Sequence, residues 1–244
     1  KDSLLEVITL LVTHCPDVMK VQDNYIENTP LHWAIANFSS VDVISFLVLR
    51  WPEAMRVQNK IGFTPLRWAI GHHLPVGVIS LLVAQCPKTL KEMYNNSTCD
   101  LYFALRERMP LEVVSLLASQ WPEAVKMKIP QVDDHGFRFS ITPLHWAIEN
   151  NLCDEGIAML VTKCPEAVKV QGTFCLITSL QLAIEMKRSV QLVSLLVSKC
   201  PEAVKVKARD CTALHYAINN KSPVEVIFLL VFHWPEVVSQ FPHF

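Results

Sequence analysis

The sequence predicts an all-α fold, a helical repeat solenoid of six helix-turn-helix units behind an N-terminal half unit. Three observations predict it. An alanine recurs at Ala34, Ala69, Ala104, Ala147, Ala183 and Ala217, in steps of 35, 35, 43, 36 and 34 residues. A proline after Cys or Trp recurs at Pro16, Pro52, Pro87, Pro122, Pro165, Pro201 and Pro235. Each of the six alanines stands 18 residues before the next proline, while the return to the next alanine takes 18, 17, 17, 25, 18 and 16. Periods of this size mark repeat architectures. Packed helices cannot change length without losing register, whereas loops can, so the constant piece carries a helical hairpin and the variable piece an exposed connector.

The first helix of each hairpin begins at Thr29-Pro30, Thr64-Pro65 or Thr142-Pro143. Threonine caps free N–H groups, and proline at the first position is pre-set for a helix. Thr178-Ser179 and Thr212-Ala213 keep the cap without the proline, and Cys99-Asp100 has drifted furthest. The second helix carries an apolar stripe at spacings 0, 1, 4, 5 and 8, as in Val43, Ile44, Leu47, Val48 and Trp51. That is one face of an α-helix, not a strand. The proline then stops it. Pro-Glu-Ala-x-basic follows at Pro52, Pro122, Pro165 and Pro201, with the acid at the positive end and the base one turn on. That pattern predicts a short third helical turn.

Hydrophobic residues make up 51% of the 244 residues and charged residues 18%, which excludes a disordered chain. The net charge of -1 argues against a nucleic-acid partner. No apolar run approaches the roughly 20 residues a bilayer span needs. A mean hydropathy of +0.27 points to a thick core or a partner-covered face. The chain starts inside a unit, as a fragment of a longer protein would.

Thr-Pro-Leu-His-x-Ala stands intact at Thr29–Ala34 and Thr142–Ala147. It is nearly intact at Thr64–Ala69, with Arg67 for His, and at Thr212–Ala217, with Ala213 for Pro. On these residues the chain resembles the ankyrin repeat family, in a long-unit variant with a Pro-Glu-Ala turn. The resemblance covers residues 1–244 as a single array: half repeat 1–28, then repeats 29–63, 64–98, 99–141, 142–177, 178–211 and 212–244. It implies a non-catalytic scaffold that holds a protein partner through connector tips and a concave face. A structural subunit of a larger assembly is the alternative. An intracellular setting, with the cytoplasm favoured, goes with either.

Residues with possible chemistry read as structural. His32, His145 and His215 share a position that elsewhere holds Arg67, Tyr102 or Gln181, so the ring braces backbone and is not catalytic. Cys15, Cys86, Cys164 and Cys200 alternate with Trp51, Trp121 and Trp234, as a buried apolar contact can and a metal ligand cannot. Neighbouring repeats lie some 8–10 Å apart, too far for a disulfide. No metal, cofactor or catalytic residue is expected. The row Trp33, Trp68, Phe103, Trp146, Leu182 and Tyr216 reads as core packing. The row Lys20, Arg56, Lys91, Lys126, Lys169 and Lys205 reads as a self-neutralised face, Lys91 excepted.

Contact residues are expected on the connectors, where copies differ: Tyr25, Ile26, Lys60, Phe63, Asn95, Asn96, Phe137, Arg138, Phe139, Phe174 and Arg209. Aromatic and Arg side chains carry much of the energy of interfaces. The connector from Pro122 to Ala147 is 7–9 residues longer than the rest and is expected to project. Asp133, Asp134 and His135 within it read as a polar turn ending at Gly136 rather than a metal cluster.

Overall fold

A computed structural model describes residues 2–85, 99–132, 135–173 and 176–240. Every repeat supplies a seven-residue first helix: α2 (Pro30–Ala36), α4 (Pro65–Gly71), α6 (Asp100–Arg106), α8 (Pro143–Glu149), α10 (Ser179–Glu185) and α12 (Ala213–Asn219). Every repeat also supplies a ten-residue second helix: α3 (Val41–Arg50), α5 (Val76–Gln85), α7 (Leu111–Gln120), α9 (Asp154–Lys163), α11 (Val190–Lys199) and α13 (Val224–His233). α1 (Asp2–His14) is the second helix of the half unit. The expected third turn is a 3-10 turn at Pro16–Lys20, Pro52–Arg56, Pro122–Lys126, Pro165–Lys169, Pro201–Lys205 and Pro235–Gln240.

Local chemistry explains the boundaries. The hydroxyls of Thr29, Thr64, Thr142 and Thr178 accept the N–H of the third helical residue. At the drifted repeat the Cys99 sulfur takes that role, accepting the Tyr102 N–H at 3.4 Å. Ser40 and Ser189 cap two of the second helices.

The turn between the helices holds a feature the residue types did not advertise. Phe38, His73, Arg108, Asn151, Lys187 and Lys221 all have positive φ, between 52 and 57°. None is glycine, the residue that adopts this conformation freely. The residue after the turn sends its N–H back to the repeat's alanine: Ser39 to Ala34, Leu74 to Ala69, Leu152 to Ala147, Arg188 to Ala183 and Ser222 to Ala217, at 2.9–3.0 Å. This 6→1 bond closes the helix end and requires the left-handed residue. Lys187 is exposed, so Lys187→Gly relieves that conformation while removing little packing. Glycine's extra chain entropy offsets part of the gain, and we expect a net stabilisation of about 0.5–1 kcal/mol. A rise in the urea midpoint checks this; a fall sinks it.

The chain forms two compact units, Lys1–Asn95 with Arg106–Gln120, and Asn96–Leu105 with Trp121–Phe244. In the first, α2 packs on α4, and α3, α5 and α7 pack in succession. In the second, α8, α10 and α12 pack in succession, as do α9, α11 and α13. Like helices therefore stack on like, and the stripe of the second helices forms the core. Leu47, Leu82, Leu117, Leu160, Leu196 and Leu230 share one repeat position, and all are buried.

The long connector departs from the helical pattern. β1 (Ile129–Val132) pairs antiparallel with β2 (Arg138–Ile141), from Ile129 opposite Ile141 to Val132 opposite Arg138. Gly136, with φ 81°, turns the chain between them, as a polar turn there requires. The next connector lies along β2: Thr173 N–H donates to the Ser140 carbonyl at 2.9 Å, and the Thr173 hydroxyl accepts from Ser140 N–H. A Cβ on Gly172 would lie 3.3 Å from the Ser140 oxygen, so a small residue suits this approach.

Candidate partner-binding surface

The motif histidines are braces. Thr29 N–H donates to His32 Nδ1 at 3.3 Å, and Nε2 lies 3.0 Å from the Phe63 carbonyl of the next connector. His145 repeats this, with the Thr142 hydroxyl 2.7 Å from Nδ1 and the Ile177 carbonyl 3.1 Å from Nε2. An Nδ1 that accepts and an Nε2 that donates to a carbonyl define a neutral ring. Burial pushes the His145 ring down to about 4 and lowers that of His32. Gln181 does the same work with an amide. Its Oε1 accepts Thr178 N–H at 2.8 Å, and its Nε2 donates to Val206 and Cys211 carbonyls at 2.9 and 3.2 Å. At His32, His145 and Gln181 one bonding pattern is thus carried by different side chains. These groups hold connectors in place.

Connectors are shaped by side-chain-to-backbone bonds. The Asp23 carboxylate accepts N–H groups of Tyr25, Ile26 and Asn28 at 2.8 Å each, and Trp33 Nε1–H at 3.1 Å. These donors, Ile26 foremost, hold its carboxyl below the usual carboxylate range. Asn59 does the same one repeat on, accepting from Ile61 and Phe63 N–H at 3.2 and 2.9 Å. Lys60 N–H reaches the Ile26 carbonyl at 2.9 Å, joining the two loops. Asp23 and Asn59 stand seven residues after their prolines, and that repeated Asx was the signal available in the sequence.

The expected contact residues differ in how far this bonding leaves them open. Tyr25, Lys60, Phe137, Arg138 and Arg209 are exposed; Ile26, Phe63 and Phe139 are half-buried. Phe137, Arg138 and Phe139 lie together on the long connector, whereas Tyr25, Ile26, Lys60 and Phe63 gather on two adjacent connectors of the first unit. Asn95, Asn96 and Phe174 lie outside the described residues, as do Cys86, Lys91, Asp133 and Asp134.

The aromatic row needs correction. Only Phe103, 4% exposed, is core. Trp33 is 43% exposed, and Trp68, Trp146, Leu182 and Tyr216 are half-buried. The ring stands at the edge of the first-helix face, where one side contacts a neighbour, as Tyr102 does with Trp146 at 6.1 Å edge to face, and the other meets solvent. The cysteine expectation also needs correction in part. Cys164 and Cys200 are buried thiols whose ionisation burial opposes, each near the 3-10 turn of the preceding repeat, whereas Cys15 is exposed.

In the basic row Lys20 pairs with Asp17, Lys126 with Glu123, and Lys169 with both Glu166 and Glu202, at 2.7–3.0 Å, whereas Lys205, whose nearby acid Glu202 is taken by Lys169, makes no ion pair among the described residues. Among the described residues no group of three or more His, Cys, Asp or Glu could hold a metal ion, and no helix is long and apolar enough to cross a membrane.

One further recess opens in the second unit. A cleft of about 280 Å³ runs between β2 and the helices α8 and α10. Phe139, Ile141, Ile177, Leu182 and Met186 make its apolar walls, and Glu149 and Glu185 stand at its rim.

The ankyrin-repeat family model matches residues 27–55. No curated protein matches the chain in sequence. Among solved structures, the ankyrin repeat domain of Bcl-3, a member of the IkappaB protein family, aligns over 91% of this chain and 90% of its own, at 22% identity and a TM-score of 0.66. The human ASB11 ankyrin repeat domain covers 95% of this chain and 94% of its own, at 18% identity and a TM-score of 0.53. The Legionella pneumophila effector AnkC covers 96% of this chain and 78% of its own, at 16% identity and a TM-score of 0.59. Similarity at this level of identity shows the fold, and the fold is that of ankyrin-repeat proteins.

Proposed function

We propose that this chain, a set of ankyrin-type helical repeats, is a non-catalytic scaffold that binds a protein partner through its connector tips and the face of its first helices. The repeats bounded at 29, 64, 99, 142, 178 and 212, after the half repeat, are the units of that scaffold. Ankyrin repeats are generally protein–protein interaction modules, and one observation carries the reading here. Where consecutive repeats share a structural duty, as at the His/Gln brace, the bonding is kept; the exposed connector positions carry Tyr, Phe and Arg that differ from copy to copy. Exposed aromatic and Arg side chains on a braced loop lose little entropy on binding and supply much of an interface's energy. Unpaired buried thiols at Cys164 and Cys200 support an intracellular, cytoplasmic setting.

The test is a triple alanine variant at Phe137, Arg138 and Phe139. All three lie on one connector, outside the helical core, so the fold is expected to survive. Capture of a partner from lysate should fall at least tenfold with an unchanged helical circular dichroism spectrum. Undiminished capture would sink the role of this loop.

A second reading, a subunit held permanently in a larger assembly, is favoured by α13. There Val224, Phe228 and Phe232 recur every four residues and are 56%, 70% and 80% exposed. A stripe of that kind on a monomer exposes an unusual apolar patch. Size-exclusion chromatography of the isolated chain decides: a stable monomer at high concentration rejects permanent embedding.

A further inference from the structure

We infer that the cleft under the long connector seats a cationic side chain, a lysine or arginine carried by a segment of the partner protein. The inference rests on the partner-binding reading and gives that partner a chemistry. Glu149 and Glu185 occupy the same place in consecutive repeats, two residues after Ala147 and Ala183. The other four repeats hold Ala36, Gly71, Arg106 and Asn219 there. Carboxylates therefore occupy this position only at the two repeats that border the cleft. Each closes a first helix, where the helix dipole disfavours negative charge, so helix stability does not account for them.

Neither carboxylate makes an ion pair or hydrogen bond among the described residues. The contrast with the Pro-Glu turns is direct: Glu123, Glu166 and Glu202 each meet a lysine at 2.7–2.8 Å. Arg188, three residues after Glu185, is already committed to Asp154 at 2.7 Å and to the Leu152 carbonyl at 2.6 Å. So two unneutralised acids stand over an apolar trough lined by Phe139, Ile141, Leu182 and Met186. Lysine and arginine have the complementary shape, a methylene stem for the trough and a charged head that stays at the wet rim. Methionine at the wall adapts to either stem. At the rim the charge attraction is modest and falls with salt, as befits selection of a partner more than raw affinity.

The probe is butylguanidinium chloride, with butylurea as its uncharged isostere, titrated into the full chain bearing labelled methionine and leucine methyls. The Met186 and Leu182 signals should shift saturably in the millimolar range with butylguanidinium, and at least tenfold more weakly with butylurea. Glu149→Gln with Glu185→Gln should weaken butylguanidinium at least tenfold and leave butylurea unchanged. Both substitutions are at exposed helix ends, and Leu160 methyl shifts report whether the core is intact. Equal response to the two probes, or to the wild type and the double variant, overturns the inference. That failure leaves the partner reading intact, because capture by a Phe137→Ala, Arg138→Ala variant, which spares the cleft wall at Phe139, measures that reading separately. Capture undiminished by the connector variant, with butylguanidinium still bound, would instead overturn the partner reading alone.

Discussion

Lowering the pH from 6.5 to 4 is expected to remove about 3 kcal/mol of stability through His145 alone. The ring is neutral in the folded chain and is pushed down to about 4, chiefly by burial and further by Lys128, against the Ile177 carbonyl bond that opposes it. An unfolded histidine titrates near 6.5. Between those two values the unfolded state binds a proton that the folded state refuses, so stability falls as pH falls. Well above pH 6.5 neither state binds it and the contribution is constant; well below about 4 both do and the loss levels off. His32 and His215 are shifted in the same direction by burial and add to the acid sensitivity.

His145→Gln isolates the effect. Gln181 already makes the same two-sided brace one repeat away, accepting at the cap and donating to the next connector. The variant should keep its stability at pH 7.5 within about 1 kcal/mol, since both hydrogen bonds can be remade. At pH 4.5 it should be more stable than the parent by about 2 kcal/mol, because glutamine does not titrate. Urea unfolding of the two proteins at both pH values measures this. Parallel pH profiles would show that the buried ring does not resist protonation.

Leu160→Ala is expected to cost about 2–5 kcal/mol. Leu160 is fully buried in α9, which packs on both α8 and α11, so truncation opens a void where helices of two layers meet. Helices of fixed length, tied at both ends, have little room to collapse into it. Repeat stability is a sum of local and nearest-neighbour contributions, so the loss should be concentrated in the flanking repeats. Hydrogen exchange should accelerate most in α8–α11, and the urea midpoint should fall. Leu49→Ala, at a 66% exposed position of α3, is the control and should change stability by no more than about 0.5 kcal/mol. A comparable cost at both sites would show that burial is not what the repeat leucine contributes.

Helix starts, helix ends and repeat phase were legible because they depend on neighbours in the chain. Thr142-Pro143 caps the helix that follows it, and Pro165 stops the helix before it, whatever else surrounds them. The left-handed turn residues were not legible. Phe38, His73 and Lys187 carry no common side-chain chemistry, and the conformation is imposed by the 6→1 bond to the repeat alanine. The cleft was hidden for another reason. Glu149 and Glu185 are 36 residues apart and acquire a shared meaning only when α8 and α10 stack and β2 lies over them.

Leu11 and Leu160 hold the same place relative to their prolines, yet Leu11 is 56% exposed and Leu160 is buried. Trp33 and Phe103 likewise share a position, one at the surface and one in the core. By itself the sequence determined periodicity, capping and the division into constant hairpins and variable connectors, because those follow from local backbone chemistry. Tertiary structure alone decided which copies of a position are covered, which rings face solvent and which acids lack a partner. Each of those depends on what the neighbouring repeat places against it, and hydrophobic burial and charge pairing act through space without regard to separation along the chain.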